Sequence, residues 1–166
     1  RGLAGDAITT AEGNVAMGHS ALSSNVLGSY SLAIGFRALN NQNPASAVDM
    51  YNTAIGTDAG LAVTTGIQNT FIGGLAGDST TTGSSNVAVG KSALAANTTA
   101  SSNTAIGHGS LTANTTGADN TAVGRNALDA NTTASFNTAI GRNALTDNTT
   151  GASNTAVGYG SQANTT

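Results

Sequence analysis

The sequence predicts an all-β chain wound as a parallel β-solenoid, and three observations carry that expectation. A short phrase of Asn, Thr, Ala, Ile or Val, and Gly returns every seventeen residues along most of the chain. Gly, Asn and Thr recur in every copy, which opposes a helix, and the period is shorter than the roughly 33 residues of helix-pair repeats. Of 166 residues only 8% are charged and 4% aromatic, with 22 Gly, one Pro and neither Cys nor Trp. An average domain carries about 25% charged residues and the large side chains that fill a broad core. A conventional enzyme with a deep pocket is disfavoured from the outset.

The repeat can be followed copy by copy. Asn103-Thr104-Ala105-Ile106-Gly107 is matched by phrases opening at Asn120, Asn137 and Asn154, and in the other direction at Asn86, Asn69 and Asn52. Asn14 and Ser31 open two earlier copies, of which the second, Ser31 to Tyr51, is four residues longer and contains Pro44. Gly2-Leu3-Ala4-Gly5-Asp6 matches Gly74-Leu75-Ala76-Gly77-Asp78, so Arg1 to Gly13 is the back part of one more copy. The count is eight full copies and a partial one at each end, giving about ten coils in a single repetitive domain over 1–166.

Numbering each coil from its opening Asn, a short strand is expected over positions 1 to 5, with positions 2 and 4 on one face and 3 on the other. Position 5 is Gly wherever the phrase occurs, as at Gly90, Gly107 and Gly124, which marks a site of positive φ or close backbone approach. Position 3 is Ala except at Phe71, and position 9 is usually Leu or Gly. A second strand is expected over positions 7 to 11, carrying the Ala and Leu. Positions 12 to 17, such as Asn97-Thr98-Thr99-Ala100-Ser101-Ser102, are polar and read as a return loop. The one insertion, 40–51, falls in that loop, where extra residues are tolerated.

Two ranks follow from this register. Ile106, Val123, Ile140 and Val157 at position 4 are expected to be buried, while the variable positions 6 and 7 face solvent, with Lys91, His108, Arg125, Arg142 and Tyr159 at position 6. Stacked at the strand spacing of ~4.8 Å, the coils would make a rod on the order of 45 to 50 Å long. So thin a rod buries few apolar side chains per coil, and such small cores are rarely stable alone. A homo-oligomeric bundle, most simply three-fold, is therefore expected.

No constellation for chemistry emerges. The net charge of −3 and pI near 4.9 offer no cationic footprint for nucleic acid. No apolar run approaches the roughly 20 residues of a membrane helix, so no membrane insertion is expected. Opening at Arg1-Gly2-Leu3, the stretch reads as a processed or excised piece. His19 and His108 share one position several coils apart and read as solvated surface residues, not ligands. Asp6, Asp58, Asp78, Asp119, Asp129 and Asp147 are scattered over different positions, unlike the aspartate pattern of calcium-binding rolls. Gly107-His108-Gly109 lacks the strand-to-helix context of a phosphate loop, and no Ser-His-Asp set is visible. No catalytic, cofactor-binding or metal-binding residue is assigned, and receptor contacts stay unassigned.

Asn-Thr-Thr recurs at Asn97, Asn114, Asn131, Asn148 and Asn164 and fits the N-glycosylation sequon. The favoured reading is structural: identical Asn and Thr, stacked coil upon coil, form side-chain ladders.

Asn-Thr-Ala-Ile-Gly-x-x-Ala-Leu resembles the Asn-Ser-Val-Ala-Ile-Gly-x-x-Ser head repeat of YadA-type trimeric autotransporter adhesins, and is similar also to repeats of bacteriophage tail fibre proteins. The resemblance covers nearly the whole chain, although the period here is longer than in the adhesin heads, with the extra residues in the Asn-Thr-Thr loop. It implies a left-handed β-roll, homotrimeric, outside the cell or on a virion. The leading expectation is a structural fibre or shaft segment that spaces or presents receptor-binding elements. The alternatives are an adhesin head binding host or matrix ligands, a receptor or glycan among them, along its side, and an ice-binding solenoid with Thr ranks at positions 2, 13 and 14.

Overall fold

The interior of each coil is only wide enough for an Ala facing a Leu, and that constraint decides the architecture. In the computed structural model, which describes residues 2–162, the described residues form strands and turns with no helix. The main strands are β1 (Val15–Met17), β3 (Leu32–Ile34), β5 (Thr53–Ile55), β6 (Thr70–Ile72), β7 (Val87–Val89), β8 (Thr104–Ile106), β9 (Thr121–Val123), β10 (Thr138–Ile140) and β11 (Thr155–Val157). They stack in chain order as one parallel sheet of nine strands, each one coil from the next. Register never slips: Thr104 faces Thr121, Ala105 faces Ala122 and Ile106 faces Val123. The chain is a parallel β-solenoid built on the expected seventeen-residue repeat.

The longer coil keeps this register. Leu32 pairs with Thr53, so the four extra residues are looped out of the sheet. They are anchored by a second small parallel pair, β2 (Gly28–Ser29) with β4 (Val48–Asp49).

Two expectations are corrected. No second strand forms over positions 7 to 11; that segment is a run of turns, with residues at positions 7 and 9 in the left-handed region, such as Asn126 (φ 55°) and Leu128 (φ 52°). Positions 8 and 9 are both buried, as at Ala127 and Leu128 or Ala144 and Leu145. A strand would send consecutive side chains to opposite faces; the left-handed residues turn both inward. Backbone pairing between coils persists here, for example Leu94 N–H to the Ser110 carbonyl at 2.9 Å.

The second correction concerns the rank at position 4. Ala105, Ala122, Ala139 and Ala156 at position 3 point inward and are buried, whereas Ile106 and Ile140 are about 40% exposed and Val157 67%. Val123 is half-buried. With Leu from position 9 already across the interior, only a methyl fits at position 3, so the bulkier β-branched side chains take the outer face.

One coil inverts the sizes and shows the limit of that interior. Position 3 is Phe71, fully buried, and position 9 is Gly in its own coil (Gly77) and the preceding one (Gly60). A Cβ on Gly77 would lie 2.5 Å from the Phe71 ring, and one on Gly60 2.8 Å from it. The ring occupies the space that two leucines fill elsewhere.

The position-5 glycine is required on both counts raised by the sequence. Gly107 has φ +131°, and a Cβ there would sit 2.6 Å from the carbonyl oxygen of Gly124 in the next coil.

Asparagines close the remaining corners. At position 1, the N–H of Asn103 donates to Oδ1 of Asn86 at 3.0 Å, and that of Asn120 to Oδ1 of Asn103 at 3.0 Å. The Nδ2 of each position-1 Asn up to Asn137 also reaches a carbonyl of its own coil, as Asn103 to Gly117 at 2.9 Å. These buried amides satisfy the N–H that precedes each strand and a carbonyl of the return loop. In the long coil Ser31 is too short for this, and Gln42 reaches across, donating to Ser31 Oγ at 3.0 Å and accepting from Asn52 Nδ2 at 2.9 Å.

Candidate functional site

Because position 3 faces inward, positions 2 and 4 share the outer face of the nine-stranded sheet. Position 2 runs Val15, Leu32, Thr53, Thr70, Val87 and then Thr104, Thr121, Thr138 and Thr155. Position 4 is an unbroken aliphatic column from Met17, 64% exposed, through Ile72 and Ile106 to Val157. One flat face therefore presents a stripe of hydroxyls and methyls beside a stripe of larger apolar side chains. Scattered exposed hydrophobics are ordinary, whereas a contiguous column running the length of a molecule is a candidate interaction surface.

Two columns border this face. On one side lie the position-6 side chains, all solvent-exposed as expected: Lys91, His108, Arg125, Arg142 and Tyr159; position 7, also expected outside, is instead half-buried at Asn126 and Asn143 and buried at Asp58, because its left-handed backbone turns toward the coil. Position-6 neighbours touch along the column, His19 stacking on Phe36 at 5.4 Å and the Arg142 guanidinium lying over Tyr159 at 5.7 Å. On the other side lies the residue that closes each coil, position 17 or, in the long coil, Tyr51, with Tyr30 and Tyr51 stacked at 5.5 Å and Asp119 and Phe136 exposed. Position 17 is a second left-handed corner, with φ 56° at Asp119 and 63° at Phe136.

The four described sequon asparagines are enclosed in the interior. Asn97, Asn114 and Asn131 are fully buried and Asn148 is 2% exposed. Their Nδ2 groups, the atoms that a glycan would need, donate to the carbonyls of Ala100, Gly117, Ala134 and Gly151 at 2.9 to 3.1 Å. Asn131 also donates to Asn114 Oδ1 at 2.9 Å, so position 12 is an amide ladder. The position-13 threonines continue the theme, Thr115 Oγ1 donating to the Thr132 carbonyl at 3.0 Å. Asn164-Thr165-Thr166 lies outside the described residues.

Arg37 forms a two-pronged pair with Asp58, both bonds 2.8 Å. Asp78 is half-buried with Oδ1 unpartnered, and burial raises its pKa, helped by the charge on Asp58. Among the described residues, no three His, Asp or Glu side chains are grouped as a metal site, no pocket opens, and no helix is long and apolar enough to cross a membrane.

Comparison with protein-family models, curated proteins and solved structures yields no match for this chain.

Proposed function

We propose that the chain is a shaft segment of an extracellular or virion appendage, a homotrimer of left-handed rolls whose sheet faces meet around a common axis and whose length spaces or presents receptor-binding elements. The observation that carries this reading is the unpartnered aliphatic column at position 4, which runs over all nine strands without a break. Shielding it from water needs a partner of the same length and repeat, and a copy of the chain is the simplest one. The repeated phrase shared with YadA-type heads and tail fibres supports the same reading.

Sedimentation equilibrium of the purified chain tests the assembly. The expected species is three copies of the 16.1 kDa polypeptide. A stable, folded monomer would overturn the reading. Electron microscopy of the native particle then separates a virion appendage from a cell-surface hair.

The adhesin reading has its own support. The insertion is the one break in the repeat, and the exposed Tyr30–Tyr51 stack, with Tyr51 Oη donating to Asp49 at 3.1 Å, lies beside it. Binding of the assembled rod to a glycan array, lost in Tyr51→Ser, would favour a receptor-binding side over a plain shaft.

A further inference from the structure

The two columns that border the sheet face are chemically unlike, and their difference bears on how copies of the chain meet. Position 6 holds Lys91, Arg125 and Arg142 and no acid; position 17 holds Asp119 and Phe136 and no Lys or Arg. Within one chain the columns stand on opposite corners of each coil, so residues 119 and 125 are separated by strand β9, Thr121–Val123. At roughly 3.3 Å per strand residue they cannot touch each other. Among the described residues the single ion pair is Arg37 with Asp58, and neither Asp119 nor Arg125 takes part in it.

Rotation about an axis parallel to the rod preserves the sense in which the chain runs around it. In any cyclic, parallel assembly with sheet faces inward, the position-6 corner of one copy must therefore meet the position-17 corner of the next. Such rotation adds no shift along the axis, so the residues that meet flank the same strand. Arg125 then faces Asp119, and Arg142 faces Phe136. An antiparallel pairing would instead set position 6 against position 6, cation against cation.

Area points the same way. Nine strands at ~4.8 Å and three residues at ~3.3 Å make a face of only about 400 Å², roughly half of what one partner gives to a standard interface. The corner side chains must join the contact to enlarge it.

We propose that the partner on the sheet face is a second copy of this chain running parallel and in register, with its Asp119–Phe136 corner seated on the Arg125–Arg142 corner of its neighbour. The proposal rests on the assembly reading above. An ion pair and a cation–π contact set direction and register, while the aliphatic column supplies affinity.

The chain has no cysteine, so engineered thiols report cleanly. Ser102 and His108, exposed at positions 17 and 6 of one level, are replaced singly and together, and the assembled proteins are treated with a short bismaleimide. The pair S102C/H108C is expected to give covalent dimers and trimers under denaturing conditions, and each single variant only monomers. Ladders from H108C alone, or none from the pair in a protein that sediments as an oligomer, would overturn the corner pairing and leave the assembly standing. A parent that sediments as a folded monomer removes both. As a second measurement, Asp119→Arg and Arg125→Asp should each weaken assembly several-fold on dilution, and the double reversal should recover most of the loss. Additive losses would refute the contact, because the two residues cannot couple within one chain.

Discussion

Replacing Phe71 by Ala would give the coil at Asn69 the position-3 residue of every other coil, yet the structure expects it to be among the most damaging changes. Phe71 is fully buried, and its ring fills the space left by Gly60 and Gly77. With glycine on both sides nothing can collapse into the cavity, so the cost should fall in the range of about 3 to 5 kcal/mol for a buried Phe→Ala change. The compensating change is equally specific. At position 9 Leu is accepted in the left-handed region, as Leu111 at φ 50° and Leu94 at φ 56° show, and Gly77 has φ +58°. Gly77→Leu alone should clash with the ring and lose about 1 to 3 kcal/mol. The combination of Phe71→Ala, Gly60→Leu and Gly77→Leu rebuilds the ordinary coil and should recover most of the stability. The assay is denaturant unfolding followed by circular dichroism, at one fixed chain concentration because the proposed assembly would contribute to the midpoint. Losses that simply add across the variants would refute the claim that the three residues share one volume.

Three further outcomes follow from the same geometry. Gly124→Val places a branched Cβ at φ +138° against the Gly141 carbonyl, and its melting temperature should fall clearly below the parent's in a thermal scan. Ala122→Asp buries a carboxylate where Ala122 is fully enclosed and should abolish the folded signal in circular dichroism, at a cost of several kcal/mol; Val123→Asp, on the outer face, should instead lower the sedimenting mass. The raised pKa of Asp78 means that its protonated form is favoured by folding, so its stabilising contribution is present below the usual carboxylate range and is lost as pH rises through the raised value. Asp78→Asn should flatten that part of the stability-against-pH curve, measured by unfolding midpoints from below the usual carboxylate range up to neutral pH.

The period, the register and the need for Gly at position 5 were all legible, because each depends on backbone geometry that repeats identically. Facing was not. Alternation along three residues divides Thr104, Ala105 and Ile106 between two sides, but it does not say which side is the interior. Assuming that the bulkier residue is buried sent Ile106 inward, and the structure sends Ala105 there instead. The signal that could have settled it lay in residue size: position 3 is Ala in every coil but one, and that Phe71 coincides with Gly at position 9 in two adjacent coils. Volume exchange of this kind identifies neighbours across an interior. The second strand failed for a different reason. A run such as Ala127-Leu128 reads as half of an alternating pattern, and only left-handed φ at Asn126 and Leu128 lets both side chains enter the same space. Leu carries no sequence mark for that conformation.

Turning the larger apolar side chains outward changes what stabilises the fold. Full burial of an Ile or Val is worth about 1.5 to 3 kcal/mol, and those at position 4 already have part of that from their neighbours in the sheet. If roughly 1 kcal/mol per side chain is still to be gained, nine strands offer about 9 kcal/mol per chain on association. That is the size of the whole net stability of an ordinary domain, about 5 to 15 kcal/mol. The interior, mostly Ala, Leu and amide ladders, keeps the coils in register through hydrogen bonds that contribute modestly, about 1 kcal/mol each. In the proposed assembly, folding and association would therefore draw on comparable free energies. Any substitution on the outer face should shift both together, with a midpoint that depends on concentration, whereas substitutions at position 3 should act at every concentration alike.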